Sequence, residues 1–71
     1  MAESVYKVIE LVGTSTESWE KAAAAAIKQA SETLHDLRKA EVVALDVQIE
    51  DDKIYLYRAR VKLSFKYHEG E

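Results

Sequence analysis

The chain contains no cysteine and no proline, only two glycines, Gly13 and Gly70, and a single tryptophan, Trp19. Each scarcity excludes something. Without cysteine there is no disulfide, and no thiolate to bind a metal or attack a substrate. Two histidines, His35 and His68, are too few for a closed zinc site. With so little glycine there is no Gly-rich phosphate loop and little room for flexible linkers. No apolar run is long enough to cross a bilayer, and the N-terminus lacks the basic-then-apolar layout of a signal peptide. A cytoplasmic location with no membrane partner is therefore expected. The net charge of −3 weighs against nucleic acid as a partner. Ser18, His35 and Asp36 are present, but nothing in the pattern brings them together, so no catalytic set is expected and the chain reads as a non-enzyme.

What is present is one long alternating stretch. Across residues 54–67, Tyr55, Tyr57, Ala59, Val61, Leu63, Phe65 and Tyr67 fall on one side, and Leu56, Arg58, Arg60, Lys62, Ser64 and Lys66 on the other. Successive side chains of a strand point to opposite faces, so this predicts a β-strand with one apolar and one mostly basic face, about 45 Å long at roughly 3.3 Å per residue. Upstream, residues 4–12 (SVYKVIELV) are rich in β-branched types and predict a first strand, apolar on both sides. Gly13 to Thr16 is read as breaking it, with Ser15 or Thr16 capping the helix that follows. Trp19, Ala22, Ala23, Ala26, Ile27, Ala30, Leu34 and Leu37 recur at helical spacing, predicting a helix from Glu17 or Ser18 to Leu34. Residues 39–50 predict a second strand with Val43, Leu45, Val47 and Ile49 on one side and Val42, Ala44, Asp46, Gln48 and Glu50 on the other. Asp51-Asp52-Lys53 then makes a hairpin turn, and the tail from His68 to Glu71 is expected to fray.

The fold class that follows is α+β, a single domain over residues 1–71 with the order β-α-β-β. A right-handed crossover leaves strands one and two parallel, with strand three between them and antiparallel to both. The result is a three-stranded antiparallel sheet of order 1-3-2 partly wrapping one helix. A chain of 71 residues buries only about 60% of its unfolded surface and is marginal alone. With no disulfide, self-association is the expected support, because the helix is far shorter than strand three and cannot cover the sheet.

Residues 5–15 (VYKVIELVGTS), the helix opening Ser18-Trp19-Glu20, residues 40–43 (AEVV) and the closing Leu63-Ser64-Phe65 together resemble the dodecin family over nearly the whole chain. The resemblance implies a hollow homododecamer of cubic symmetry whose members store or buffer a small ligand rather than transform it. Most such dodecins bind flavins stacked between tryptophans. Here Lys39 stands where the stacking tryptophan belongs, Arg58 where a flavin-bonding glutamine belongs, and Asp46-Val47-Gln48 where bacterial flavin dodecins tend to carry Arg-Gly-His. A smaller branch resembles this sequence better: it shares Ser-Trp-Glu, lacks the stacking tryptophan and is associated with calcium.

Several candidate residues follow. Lys39, Asp46, Gln48 and Arg58 are the expected lining of a small-ligand pocket, since arginine and lysine match phosphate-like anions; against this, the basic stripe pairs with Asp46, Gln48 and Glu50 across strands. Glu32 and Asp36, one helical turn apart, are the expected cation ligands. Acidic groups at a helix C-terminus oppose its dipole, and calcium would offset that, although calcium wants six to eight oxygens and symmetry copies or waters would have to complete the shell. The bland counterpart is a solvated acidic end. Trp19 reads as packing or a subunit contact. The sequence thus predicts a non-enzymatic ligand-binding or storage assembly with calcium as the cation. The alternative is a flavin-binding (FMN or riboflavin) dodecin in which Lys39 and Arg58 grip the cofactor by charge. A structural assembly with no specific ligand is the third reading.

Overall fold

The computed structural model describes residues 3–67; the expected frayed tail lies outside them. The elements run β1 (Tyr6–Ser15), α1 (Trp19–Ser31), β2 (Leu37–Glu50) and β3 (Lys53–Lys66). They form a three-stranded sheet of order β1-β3-β2, both pairings antiparallel, as the sequence predicts.

Gly13 does not break β1. It stays in the ladder opposite Ala59, and β1 runs on to Ser15. Its role is space: a Cβ at Gly13 would collide with the Ala22 carbonyl oxygen and lie 3.1 Å from the Ala26 Cβ. The missing side chain lets the helix settle onto the strand. The cap also moves. Ser18, not Ser15 or Thr16, is the N-cap, its Oγ accepting from the Lys21 amide at 3.1 Å. Ser15 instead ties the turn, its Oγ accepting from the Glu17 amide at 2.9 Å. The helix ends at Ser31 rather than Leu34, where the last turn tightens: the Glu32 and Thr33 amides bond three residues back, to the Gln29 and Ala30 carbonyls at 3.3 and 3.1 Å.

The core is small. Ala26 and Ala30 of α1 pack with Val61 and Leu63 of β3, with Ile9 and Leu11 of β1 beside them; Ala22, one turn earlier on the helix, and Ala59 of β3 are buried as well. Alanine brings the helix close but buries little area. The helix spans about 20 Å, from 13 residues at 1.5 Å each, against a 14-residue β3 more than twice as long.

The register between β2 and β3 shifts at three places, Leu37/Lys39, Val42/Ala44 and Gln48/Ile49, and the middle one overturns the alternation read from the sequence. The register to β3 shifts between Val42 and Ala44, so Val43 is an extra, unpaired residue. Val42 is therefore opposite Val61 and Leu45 opposite Ala59, both buried residues of the helix side. Val42 belongs with Leu45, not with Ala44 and Asp46. A one-residue insertion flips the face of everything on one side of it.

At the turn, Asp51 and Asp52 both take positive φ, 53° and 62°, as a two-residue hairpin of the primed type requires. Because β1 reaches only to Ser15 opposite Tyr57, the end of the hairpin projects as two strands alone. The molecule measures 54 × 20 × 15 Å, with a radius of gyration of 14.7 Å, against about 11 Å for a compact chain of this length. It exposes 5520 Å², about 1,100 Å² more than the size law gives for a compact monomer of this mass.

Candidate functional site

The sheet face turned away from α1 carries ion pairs beside the exposed Val8 and Val12. Arg58 Nε donates to Asp46 Oδ1 at 2.8 Å, and Arg60 Nη1 to Glu10 Oε1 at 3.3 Å. The Arg58–Asp46 pairing is the expected cross-strand one; Arg60 turns to β1 instead of β2. Gln48 Nε2 donates to Glu50 Oε2 at 3.3 Å. Asp46, Val47, Gln48 and Arg58 line one open hollow of about 370 Å³.

Lys39 stands elsewhere. It pairs with Ser64, and with Val8, Glu41, Lys62 and Ser64 it lines a second hollow of about 410 Å³. Ser64 and Arg58 stand six positions apart on β3, about 20 Å along the strand. Within one protomer the four expected ligand-binding residues therefore occupy two hollows, not one pocket.

Glu32 and Asp36 do not share a helical face, because α1 stops before both. Glu32 is the C-cap. Asp36 lies beyond it at φ 63°, its Oδ1 accepting from Arg38 Nη2 at 3.3 Å and its carbonyl from the Lys66 amide at 3.3 Å. Among the described residues, no three histidine, aspartate or glutamate side chains gather at metal-binding distance. One protomer thus falls short of calcium's six to eight oxygens.

The element that sequence reasoning placed only loosely is Trp19. Its indole N–H donates to the Asp46 carbonyl at 3.0 Å, and its ring meets Tyr57 edge-on with centroids 5.2 Å apart. The first residue of α1 thereby latches the helix to the edge strand at the residue whose carboxylate holds Arg58. Beside it, on the helix side of the sheet, Trp19, Ala23, Ala24, Ile27, Val42 and Leu45, with Glu20, line an almost wholly apolar groove of about 510 Å³. The groove exists because α1 lies over β1 and β3 and barely touches β2. The Val42-Val43 pair, which interrupts the alternation, was the sequence signal for the bulge that turns Val42 into this groove.

Among the described residues, no helix is long and apolar enough to cross a membrane. The family model for dodecin matches residues 5–68. The calcium dodecin of Mycobacterium tuberculosis is 43% identical over 68 residues, covering 96% of each chain. Its crystal structure, described as that of a calcium-chelating antigen with a novel calcium-binding site, superimposes with a TM-score of 0.82 at 42% identity over 96% of this chain and 97% of that one. Dodecin from Streptomyces coelicolor superimposes with a TM-score of 0.91 at 36% identity, covering 99% of this chain and all of its own. A β-α-β-β protomer with sheet order 1-3-2, matched over nearly its full length in both sequence and backbone, places the chain in the dodecin family.

Proposed function

We propose that this chain is a non-catalytic ligand-binding or storage protein that works as a hollow homododecamer, with calcium as its ligand. The observation that carries the assembly is the surplus surface. About 1,100 Å² beyond the compact-monomer value exceeds the roughly 800 Å² that each partner contributes to a standard interface, on a chain in which, among the described residues, the largest fully buried side chains are Val61 and Leu63.

The calcium reading is supported by the similarity to the calcium dodecin and by the absence of an aromatic platform at Lys39. Calcium needs more oxygens than one protomer assembles, so its shell is shared between copies, and Glu32 and Asp36 remain the carboxylates proposed for it. Asp46, Gln48, Arg58 and Lys39 remain the proposed lining of a small-ligand pocket; held in two separate hollows, they too converge only between subunits. Flavin is the competing ligand: the guanidinium of Arg58 and the ammonium of Lys39 would hold its phosphate by charge, without ring stacking.

Native mass spectrometry on untagged protein, alone and with calcium or FMN, tests this reading. A dodecamer taking up calcium in symmetric multiples is expected, together with a melting temperature raised by calcium and lowered by chelator, since a ligand of the folded state stabilises by mass action. Flavin adducts with quenched flavin fluorescence would replace calcium by flavin. A bare dodecamer unmoved by either would leave a structural assembly, and a monomer would overturn the reading altogether.

A further inference from the structure

The ion pairs on the sheet face away from α1 leave two cations over. Arg58 is held by Asp46, and Arg60 by Glu10. Lys62 is opposite both Glu10 and Glu41, but Arg60 has taken the Glu10 carboxylate. Among the described residues, Lys62, Lys39 and Glu41 make no ion pair, and the Ser64 hydroxyl makes no hydrogen bond. The two lysines are diagonal neighbours, because Lys39 is opposite Ser64, two positions from Lys62 on the central strand. Diagonal positions lie about 7–8 Å apart, within reach of long side chains. Both ammonium groups thus share the hollow of about 410 Å³ with Ser64, Glu41 and Val8. One carboxylate there stands against two cations, a local surplus of positive charge on a chain of net charge −3.

We propose that Lys39, Lys62 and Ser64 form a binding site for a small phosphate-type oxyanion, the phosphate group of a small monoester. The ammonium groups bring charge from two strands, and the hydroxyl beside them donates a further hydrogen bond; bonds to an ionised acceptor are the strong ones. Lysines are compact charges on flexible stems, without the planar fork by which arginine selects a carboxylate. Glu41 opposes every anion, so a single negative charge gains little here and a double one is favoured. Val8, 57% exposed, offers an apolar wall to the organic part of the monoester. The site is complete within one protomer. It does not draw on Arg58, about 20 Å away along β3, and it stands or falls separately from the calcium reading.

The test is calorimetric titration of the full chain with inorganic phosphate, phenyl phosphate and acetate. It is run without calcium, at constant ionic strength and at mildly alkaline pH, where both phosphates are dianions. Phosphate should saturate, phenyl phosphate should bind more tightly, and acetate should give no heat. Lys39→Gln and Lys62→Gln should each weaken phosphate binding about tenfold, and Ser64→Ala by less. Glu41→Gln should strengthen it, a gain that misfolding cannot produce. Lys28→Gln removes the same charge from the exposed side of α1 and should change little. Binding that survives loss of both lysines, weakens equally with Lys28→Gln, or fails to tighten with Glu41→Gln overturns the site. Acetate bound as tightly as phosphate overturns the ligand class, and phenyl phosphate no tighter than phosphate overturns the apolar wall. Native mass spectra with added calcium read the earlier proposal independently: phosphate binding through Lys39 and Lys62 without calcium uptake overturns that reading and keeps this one, and calcium uptake without phosphate heat does the reverse.

Discussion

The two ends of the sheet are built on opposite plans. Where α1 lies on β1 and β3, the contact is made of the smallest residues, Gly13, Ala22, Ala26, Ala30 and Ala59, and among the described residues Val61 and Leu63 are the largest side chains that are fully buried. Where the helix is missing, along β2 and the hairpin tip, the residues are large and apolar, yet Val42, Leu45, Ile49, Ile54 and Tyr55 are each half or more exposed. A chain folding for itself would put its larger side chains in its own core. This one uses small residues for close approach inside the protomer and keeps large ones outside, where only another chain can cover them. The covered end should therefore govern whether the protomer forms, and the bare end whether protomers stay together.

The sharpest way to break that division is at Gly13. Gly13→Val forces β-carbon and methyl groups into the Ala22 carbonyl and the Ala26 side chain, and overpacking on this backbone contact should cost about 3 kcal/mol or more, read as loss of folded protein at all concentrations. Leu63→Ala is next, at about 2–5 kcal/mol, measured as a fall in urea midpoint. Leu45→Asp removes comparable apolar volume from the bare end. It should leave far-UV dichroism intact while the assembly dissociates on size exclusion. If Leu45→Asp instead abolished folding at every concentration tested, protomer folding and assembly would be one event and the two-plan division would fail.

Much of this was legible in the sequence. The alternation of β3 is nearly perfect because its helix side is buried and a slip would expose it; Ala59, Val61 and Leu63 follow from that pattern, and the sheet order follows from topology. Three features were not legible, each because a neighbour distant in the chain decides it. Gly13 looks like a strand breaker, but its small size serves Ala22 and Ala26 across the interface. Val42 looks outward until the extra residue Val43 is placed opposite its partner strand. The cap moves from Ser15 or Thr16 to Ser18 because three hydroxyls in four residues compete, and only the strand's exit through Ser15 picks the winner. At the candidate site, the Arg58–Asp46 pair was readable from cross-strand charge. The separation of Lys39 from it was not, because a list of polar residues carries no distance. The Glu32–Asp36 face presumed a further helical turn, but the helix tightens and stops at Glu32 and Thr33, whose amides bond only three residues back.

Smaller effects sharpen the comparison from the covered side. Ser18→Ala removes the cap on Lys21 and should lower stability by about 1 kcal/mol, seen as a modest drop in melting temperature with the assembly unchanged. Trp19→Phe keeps the ring against Tyr57 but loses the donor to the Asp46 carbonyl; a net hydrogen bond is worth about 1 kcal/mol, and its loss should loosen the end of α1 nearest the groove, read as faster amide exchange there.

The smallest expected effect tests the polar face. Arg58→Gln breaks the 2.8 Å pair with Asp46, whose side chain is 51% exposed against 38% for Arg58. An ion pair this open is worth about 0–1 kcal/mol and is screened by salt. If that face lines a wet interior, Arg58→Gln should change stability within that range, and the change should shrink further as salt is added. If the face is instead pressed dry against a neighbouring subunit, the same substitution strands the Asp46 carboxylate away from water, and breaking such a pair costs about 3–5 kcal/mol, little altered by salt. A salt series on one conservative variant thus separates a lumen from an interface, because screening requires the solvent that an interface removes.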